Sequence, residues 1–236
     1  MNKIILVTGA GRGLGYCIVS QHLAMKDRVY AFDYQITDEL KKLAEENDLL
    51  SIYHCDIASD ESVATAMQDV LESGEQIDII YNVAGIFKVE GRVGLAETDM
   101  DMCMQMFNVN ALGAMRVCKN VFPLIGEGSL VLNISSEAGS IGAARRSQEY
   151  GYCMSKAALN MGAKILSNEL WSCSARVMII HPGWLRTSMG GPDAFASNNS
   201  IVPEESAANI IEIALNIDDI PRDQMYMYHT GEILPW

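Results

Sequence analysis

A short apolar run, Lys3–Thr8 (KIILVT), passes straight into a glycine-rich turn, Thr8-Gly-Ala-Gly-Arg-Gly-Leu-Gly15, and then into a segment with helical periodicity. This junction restricts the fold more than any other stretch. An apolar run without alternation reads as a strand buried on both faces, which a parallel sheet covered by helices provides. Glycines let the chain turn sharply and let its backbone approach a phosphate resting on the positive helix N-terminus. The common G-x-G-x-x-G spacing is not met, because Leu14 stands where its last glycine belongs. The pattern present is G-x-x-x-G-x-G, from Gly9, Gly13 and Gly15, with Arg12 inside the turn.

The same alternation continues. Strands are predicted at Arg28–Asp33, Leu50–Asp56, Ile77–Ala84, Ser129–Ser135, Arg176–His181 and Met225–His229. Helices are predicted at Gly13–Lys26, Thr37–Asn47, Ser59–Ser73, Asp99–Leu124, Tyr150–Trp171 and Pro203–Ile217. Strands alternating with helices give a Rossmann-type, doubly wound parallel sheet of about seven strands with helices on both faces. No linker, repeat or low-complexity tract divides the 236 residues, so one domain over residues 1–236 is expected. Met100, Met102, Met104 and Met106 alternate as if in a strand and resemble a copper tract, but only Cys103 accompanies them. Methionine as adaptable filler on a helix that packs against another subunit is the better reading.

Charge excludes several partners. Thirty acidic against 17 basic residues give a net charge of −13, and no basic block exists to meet nucleic acid or an anionic membrane. No apolar run approaches the ~20 residues of a membrane span. The first strand starts at Lys3, which leaves no room for a leader, and six cysteines without metal-ligand spacing read as reduced thiols. A cytoplasmic location and no bound metal are therefore expected.

Two further features point to chemistry. Asp33 ends the second predicted strand, where a carboxylate accepts hydrogen bonds from both adenosine ribose hydroxyls and repels a 2′-phosphate. NAD(H) is therefore favoured over NADP(H), although Arg12 would pair with that phosphate. Asp56, at the end of the third predicted strand, either meets an adenine amino group or caps the helix from Ser59. Farther on, Tyr152 precedes Lys156 at i, i+4 spacing, which places phenol and ammonium on one helix face. A neighbouring cation lowers a tyrosine pKa, as a proton-transferring phenol requires. Tyr-x-x-x-Lys is weak by itself, but joined to a phosphate-cradling turn it points to nicotinamide-dependent oxidation or reduction.

With these residues in hand, the chain resembles the short-chain dehydrogenase/reductase family along nearly its whole length. Thr8–Gly15 is similar to its glycine motif and Asp56-Ile57 to its adenine-contacting pair. Asn82-Val83-Ala84-Gly85 is similar to its Asn-Asn-Ala-Gly element, with Val83 replacing the second Asn. Asn110, Ser136, Tyr152 and Lys156 match its catalytic set, and Pro182-Gly183 with Thr187 matches the element that holds the nicotinamide carboxamide. Ser135 adjoins Ser136, and the resemblance alone picks the second. The segment from His181 to Gly191 and the terminal Gly-Glu-Ile-Leu-Pro-Trp236 resemble the C-factor and sniffer branch of carbonyl reductases and signalling proteins.

The resemblance implies hydride transfer between a nicotinamide and a carbonyl or secondary alcohol of small size. Tyr152 would act as general acid/base, Lys156 would lower its pKa and bind the ribose, and Ser136 would donate to the substrate oxygen. Asn110 would hold a water that links Lys156 to solvent. Read structurally, Ser136 would instead cap a turn and Asn110 would be a helix polar group satisfied by backbone. Residues 187–202 would form a short substrate lid with Trp184, Met189 and Phe195 nearby, and Arg186 is the one candidate for an anionic group. A homodimer or homotetramer through the two long helices is expected. The alternative function is an NAD-binding signalling or sensing protein with little turnover.

Overall fold

The structure, a computed structural model, describes residues 2–236. Seven strands, β1 (Ile4–Thr8), β2 (Arg28–Asp33), β3 (Leu50–His54), β4 (Ile79–Asn82), β5 (Leu130–Ile134), β6 (Arg176–His181) and β7 (Tyr226–Tyr228), form one sheet. Their order is β3-β2-β1-β4-β5-β6-β7, and every neighbouring pair is parallel. Strands β4, β5 and β6 are buried almost end to end, as their unbroken apolar composition requires when helices cover both faces. The helices are α1 (Gly13–Ala24), α2 (Asp38–Glu45), α3 (Asp60–Ala66), α4 (Gln68–Ser73), α5 (Met100–Phe107), α6 (Ala114–Val121), α7 (Tyr150–Glu169), α8 (Pro192–Ala196) and α9 (Pro203–Leu215). Of these, α1 packs against α9 and α5 against α7. The expected α/β class and parallel sheet are those observed.

Register brings the strand ends together. Thr8 lies beside Phe32 and Asn82, Asn82 beside Asn133, and Ile134 beside Ile180, so the carboxyl ends of β1, β2, β4, β5 and β6 share one edge. The chain order reverses between β1 and β4, and the crevice at such a switch point is where open α/β sheets bind ligands.

Two expected helices are broken, and the expected lid loop gains one. The segment Asp99–Leu124 is not one helix: α5 and α6 are separated by a π-helical stretch, Asn108–Gly113, and a 3₁₀ turn with Pro123 follows at Phe122–Leu124. Ile57 presses on the widened turn, since a Cβ on Gly113 would lie 2.6 Å from Ile57 Cδ1. Ser59–Ser73 breaks at Met67, whose side chain is drawn into the core, giving α3 and α4. Within 187–202, α8 opens at Pro192, a residue whose fixed φ suits a first helical position. The methionine tract is helical, with Met106 buried and Met104 exposed.

A buried polar chain crosses the core. His22, fully buried, lies 2.8 Å through Nδ1 from the Asp27 carboxylate and 3.0 Å through Nε2 from the Tyr81 hydroxyl. A neutral ring donating from Nδ1 and accepting from Tyr81 satisfies every partner. Burial pushes the imidazole below its ordinary value of 6.5, against the pull of Asp27. The unfolded chain therefore binds a proton near pH 6.5 that the folded chain refuses, so stability is present above that value and lost as pH falls through it. His181 and His229 are also lowered by burial and add in the same sense. The denaturation midpoint should drop between about pH 7 and pH 5, with a slope per histidine of at most about 1.4 kcal/mol per pH unit. His22→Gln should flatten that profile in part; a wild-type profile flat across the window would contradict the assignment.

Candidate active site

The glycine turn is built by backbone contact. Gly9 has φ +69°, and a Cβ there would sit 2.8 Å from the backbone of Ala84; a Cβ on Gly15 would meet the Gly9 carbonyl at 2.0 Å. Neither position admits a side chain. Thr8 ties the other side of this contact, its hydroxyl accepting the N–H groups of Val83 at 3.2 Å and Ala84 at 3.3 Å. The next residue, Gly85, approaches the far end of the site, since its Cβ would lie 3.6 Å from Lys156 Nζ.

Helix α1 begins at this turn without a side-chain cap and with no acidic residue in its first turn, whereas Thr37, Ser59 and Asp99 cap α2, α3 and α5. Its leading N–H groups therefore face the crevice unneutralised, which fits an anionic group such as a pyrophosphate. Arg12 is exposed, Leu14 is buried in the core, and Gly13 faces Thr187, whose Cγ2 would lie 3.2 Å from an added Cβ. Asp33 accepts from Gly11 N at 2.7 Å and from Gln35 N at 2.8 Å, one bond per oxygen, so each oxygen keeps acceptor capacity for ribose hydroxyls. The residues present thus fit a dinucleotide.

Asp56 does not cap α3. Its Oδ1 accepts from Ala58 N at 2.9 Å, while Ser59 supplies the cap by accepting from Ser62 N. Ile57 is buried against the π-helical turn. Asn82 points along the sheet: Nδ2 donates to Asn133 Oδ1 at 3.0 Å, and Oδ1 is buried with no partner among the described residues. It braces β4 against β5. Pro182 accepts from Ser206 Oγ at 2.7 Å, and Gly183 turns the chain with φ +86° towards Thr187.

Helix α7 and the loop after β5 carry the residues expected to react. Tyr152 is half-buried, with its ring edge-on to Phe87 at 5.1 Å, and Lys156 Nζ stands 5.9 Å from the phenol ring centre. Lys156 donates to the Ile134 carbonyl at 2.8 Å, which anchors its ammonium beneath the end of β5. Burial brings this lysine down to about 8. Burial also pushes the Tyr152 phenol up, to about 12; Ser136 and Arg146 pull part-way back, while Glu137 and Cys153 add to the rise. The lowered phenol expected from the Lys156 spacing is therefore not what this structure has: desolvation dominates, and Lys156 is not among the groups that pull the phenol down. Tyr152 carries its proton at neutral pH.

The two adjacent serines separate. Ser135 is buried and donates to Asn160 Oδ1 at 2.6 Å, towards α7. Ser136 accepts from Ala138 N at 3.1 Å and donates to Glu137 Oε2 at 2.7 Å, beside Tyr152. Asn110, in the π-helical stretch, accepts from Ile86 N at 2.7 Å and donates to Ile86 O at 2.9 Å and Ser155 Oγ at 3.0 Å. Both amide N–H donors are thus used, on Ile86 O and Ser155 Oγ, while Oδ1 keeps one acceptor site.

Sequence reading missed a charged rim. Arg146 pairs with both Glu137 and Glu149, Arg92 bonds Glu149 at 2.9 Å and covers the Phe87 ring, and His181 Nε2 lies 3.5 Å from Glu137. The only signal was Glu137 directly after Ser136 and the Arg145-Arg146 pair ahead of Tyr152. Arg186, the expected anion contact, is instead tied to Ser197 and Ser200 within its own loop. Among the described residues no group of three His, Cys, Asp or Glu is placed to hold a metal, and no helix is long and apolar enough to cross a membrane.

The short chain dehydrogenase pattern matches residues 3–195. The chain belongs to the short-chain dehydrogenase family. A 1-hydroxy-2-glutathionyl-2-methyl-3-butene dehydrogenase of Rhodococcus sp. is 29% identical, over 98% of this chain and 99% of its own. C-signal of Myxococcus xanthus is 30% identical, over 68% of this chain and 93% of its own. The NADPH-bound carbonyl reductase from chicken fatty liver superposes with a TM-score of 0.90 at 25% identity, covering 100% of this chain and 99% of its own. C-signal and the chicken carbonyl reductase are relatives of the kind the resemblance to the C-factor and carbonyl-reductase branch implies.

Ser135→Ala should lower stability by about 1–3 kcal/mol, since Asn160 loses its donor, and leave turnover per folded molecule largely intact. Ser136→Ala should do the reverse, with turnover falling about 10²–10³-fold and little change in unfolding midpoint. Equal behaviour of the two variants in denaturation and turnover assays would contradict the division.

Proposed function

We propose that this short-chain dehydrogenase interconverts a carbonyl compound and its secondary alcohol, with Tyr152 moving the proton on the substrate oxygen. The observation that carries this reading is the placement of a protonated Tyr152 beside Ser136 and Lys156, across the strand ends from an uncapped helix N-terminus. A nicotinamide supplies the hydride chemistry when bound. Gly9, Gly13 and Gly15 would leave its pyrophosphate room at α1, Asp33 would receive the ribose hydroxyls, and Thr187 and Gly183 would hold the nicotinamide end. Tyr152 gives its proton to the carbonyl oxygen in reduction and takes it back in oxidation. Lys156, one N–H fixed on Ile134, keeps two more for the ribose and the phenol. Ser136 presents its hydroxyl where charge develops. Residues 187–202 cover the substrate, with exposed Met189 and Phe195 as apolar contacts.

NAD(H) is the favoured coenzyme, because Asp33 sits at the end of β2 with acceptor capacity and a negative charge. The NADPH of the chicken enzyme and the exposed Arg12 weigh on the other side. Exposed Met104, Met154, Met161 and Ile165 on α5 and α7 support a homodimer or homotetramer, which a light-scattering mass above one 25.9 kDa chain would bear out. The match to C-signal favours a second reading, a nucleotide-binding signalling protein. An intact Tyr152–Lys156 pair supports the enzyme, since a sensor has no use for it.

Tyr152→Phe should keep the fold and coenzyme affinity while turnover of a carbonyl panel falls by ~10²–10⁴. Lys156→Ala should be nearly as damaging and also weaken coenzyme binding, and Tyr150→Phe should retain most activity. Full activity in Tyr152→Phe would remove the phenol from the mechanism. Titration with both coenzymes should show NAD(H) bound more tightly, and Asp33→Ala should narrow or reverse the difference. A wild-type preference for NADPH of tenfold, about 1.4 kcal/mol, would show that Arg12 outweighs Asp33.

A further inference from the structure

The residue after Ser136 is a carboxylate, and its position makes it a competitor. Glu137 Oε2 takes the Ser136 hydroxyl proton at 2.7 Å, a bond to a charged acceptor and so stronger than one to a neutral carbonyl. Ser136 has only one proton to give. While it points at Glu137, Ser136 has only lone pairs left, one taken by Ala138 N and the other on the side of the Tyr152 hydroxyl. A carbonyl oxygen entering the site needs that same proton. Glu137 is itself held from the far side by Arg146, which is shared with the buried Glu149, and His181 stands 3.5 Å away.

Resting on the carbonyl–alcohol reading above, we propose that Glu137 is a positioning residue whose carboxylate competes with the substrate oxygen for the Ser136 hydroxyl, and that Arg146 sets how firmly it does so. When Arg146 draws Glu137 outward, Ser136 is released to donate to a carbonyl. When it does not, Ser136 remains an acceptor, the geometry that suits an alcohol O–H.

The charges around the phenol support this arrangement and give it a readout. Tyr152 is faced by Ser136 and Glu137 from the loop after β5, by Arg146 from the loop before α7, and by Cys153 and Lys156 from α7. Glu137 is faced by Ser136, Arg146, His181 from β6 and the Tyr226 phenol from β7. Burial alone would raise Glu137, but His181, Ser136 and Arg146 hold its carboxyl below the usual range, so it is charged near neutral pH. That charge raises the proton affinity of Tyr152, and Arg146 opposes it.

The test compares Glu137→Gln and Arg146→Gln with the wild type, by ¹³C NMR titration of ζ-labelled tyrosine with Tyr152→Phe to assign the signal, and by steady-state kinetics. Glu137→Gln should move the Tyr152 ionisation, and the limb of the oxidative pH profile it governs, to lower pH by about half a unit or more. It should also lower KM for the carbonyl relative to KM for the alcohol. Arg146→Gln should shift both in the opposite direction, and Glu137→Asp should restore much of the wild-type profile. A merely structural role would lower stability or scale kcat in both variants without opposite pH shifts, and that result would overturn the proposal. Should Glu137→Gln not fold, an unmoved ionisation in Arg146→Gln overturns it equally. The NMR titration needs no turnover, so a wild type inactive on every carbonyl would refute the reading of function while the Tyr152–Glu137 coupling is still measured.

Discussion

The backbone of Ala84 lies so close to Gly9 that a Cβ on that glycine would stand 2.8 Å from it. The rest of the site depends on this contact between the ends of β1 and β4. It closes the sheet at its switch point and holds the glycine turn under the uncapped start of α1. It also delivers Gly85 against Lys156 and Ile86 against Asn110. One edge of the sheet thereby joins a place for an anion to a place for a proton, although the residues concerned are far apart in the chain.

Desolvation, more than charge pairing, sets the chemistry at that edge. Burial raises Tyr152 to about 12 and lowers Lys156 to about 8, so each group is pushed towards its neutral form. A phenol in that state is an acid waiting for a base, and a developing alkoxide is such a base. The charges that remain effective are those on the rim, where Glu137 and Arg146 act on the phenol with opposite sign.

Much of this was legible in the sequence, and the limits of legibility have physical causes. Unbroken apolar strands and glycine punctuation specify a parallel sheet, because few other folds hide such strands on both faces. The Tyr152–Lys156 spacing on a helix survived for the same local reason. The π-helical turn at Asn108–Gly113 was not legible, because it arises from the pressure of Ile57 and the anchoring of Asn110 to Ile86, both tertiary contacts. The break at Met67 is of the same kind. Periodicity could not separate Ser135 from Ser136; burial and Asn160 do. The sign of the tyrosine shift was missed because spacing reveals a neighbouring cation but not how much water burial removes. Arg146 and Glu149 meet through a non-glycine residue in the left-handed region, φ +65° at Glu149, which no local pattern announces.

The central claim is direct hydride exchange between a nicotinamide and a substrate carbonyl at this edge of the sheet. It is tested most directly by supplying reduced coenzyme deuterated on one face of C4, together with a carbonyl substrate, and analysing the alcohol product by NMR. Deuterium on the carbinol carbon, transferred from one face only and lost from the product pool in Tyr152→Phe, is the expected result. Protium at that carbon with either deuterated face, or no alcohol from any carbonyl with either coenzyme, would contradict it.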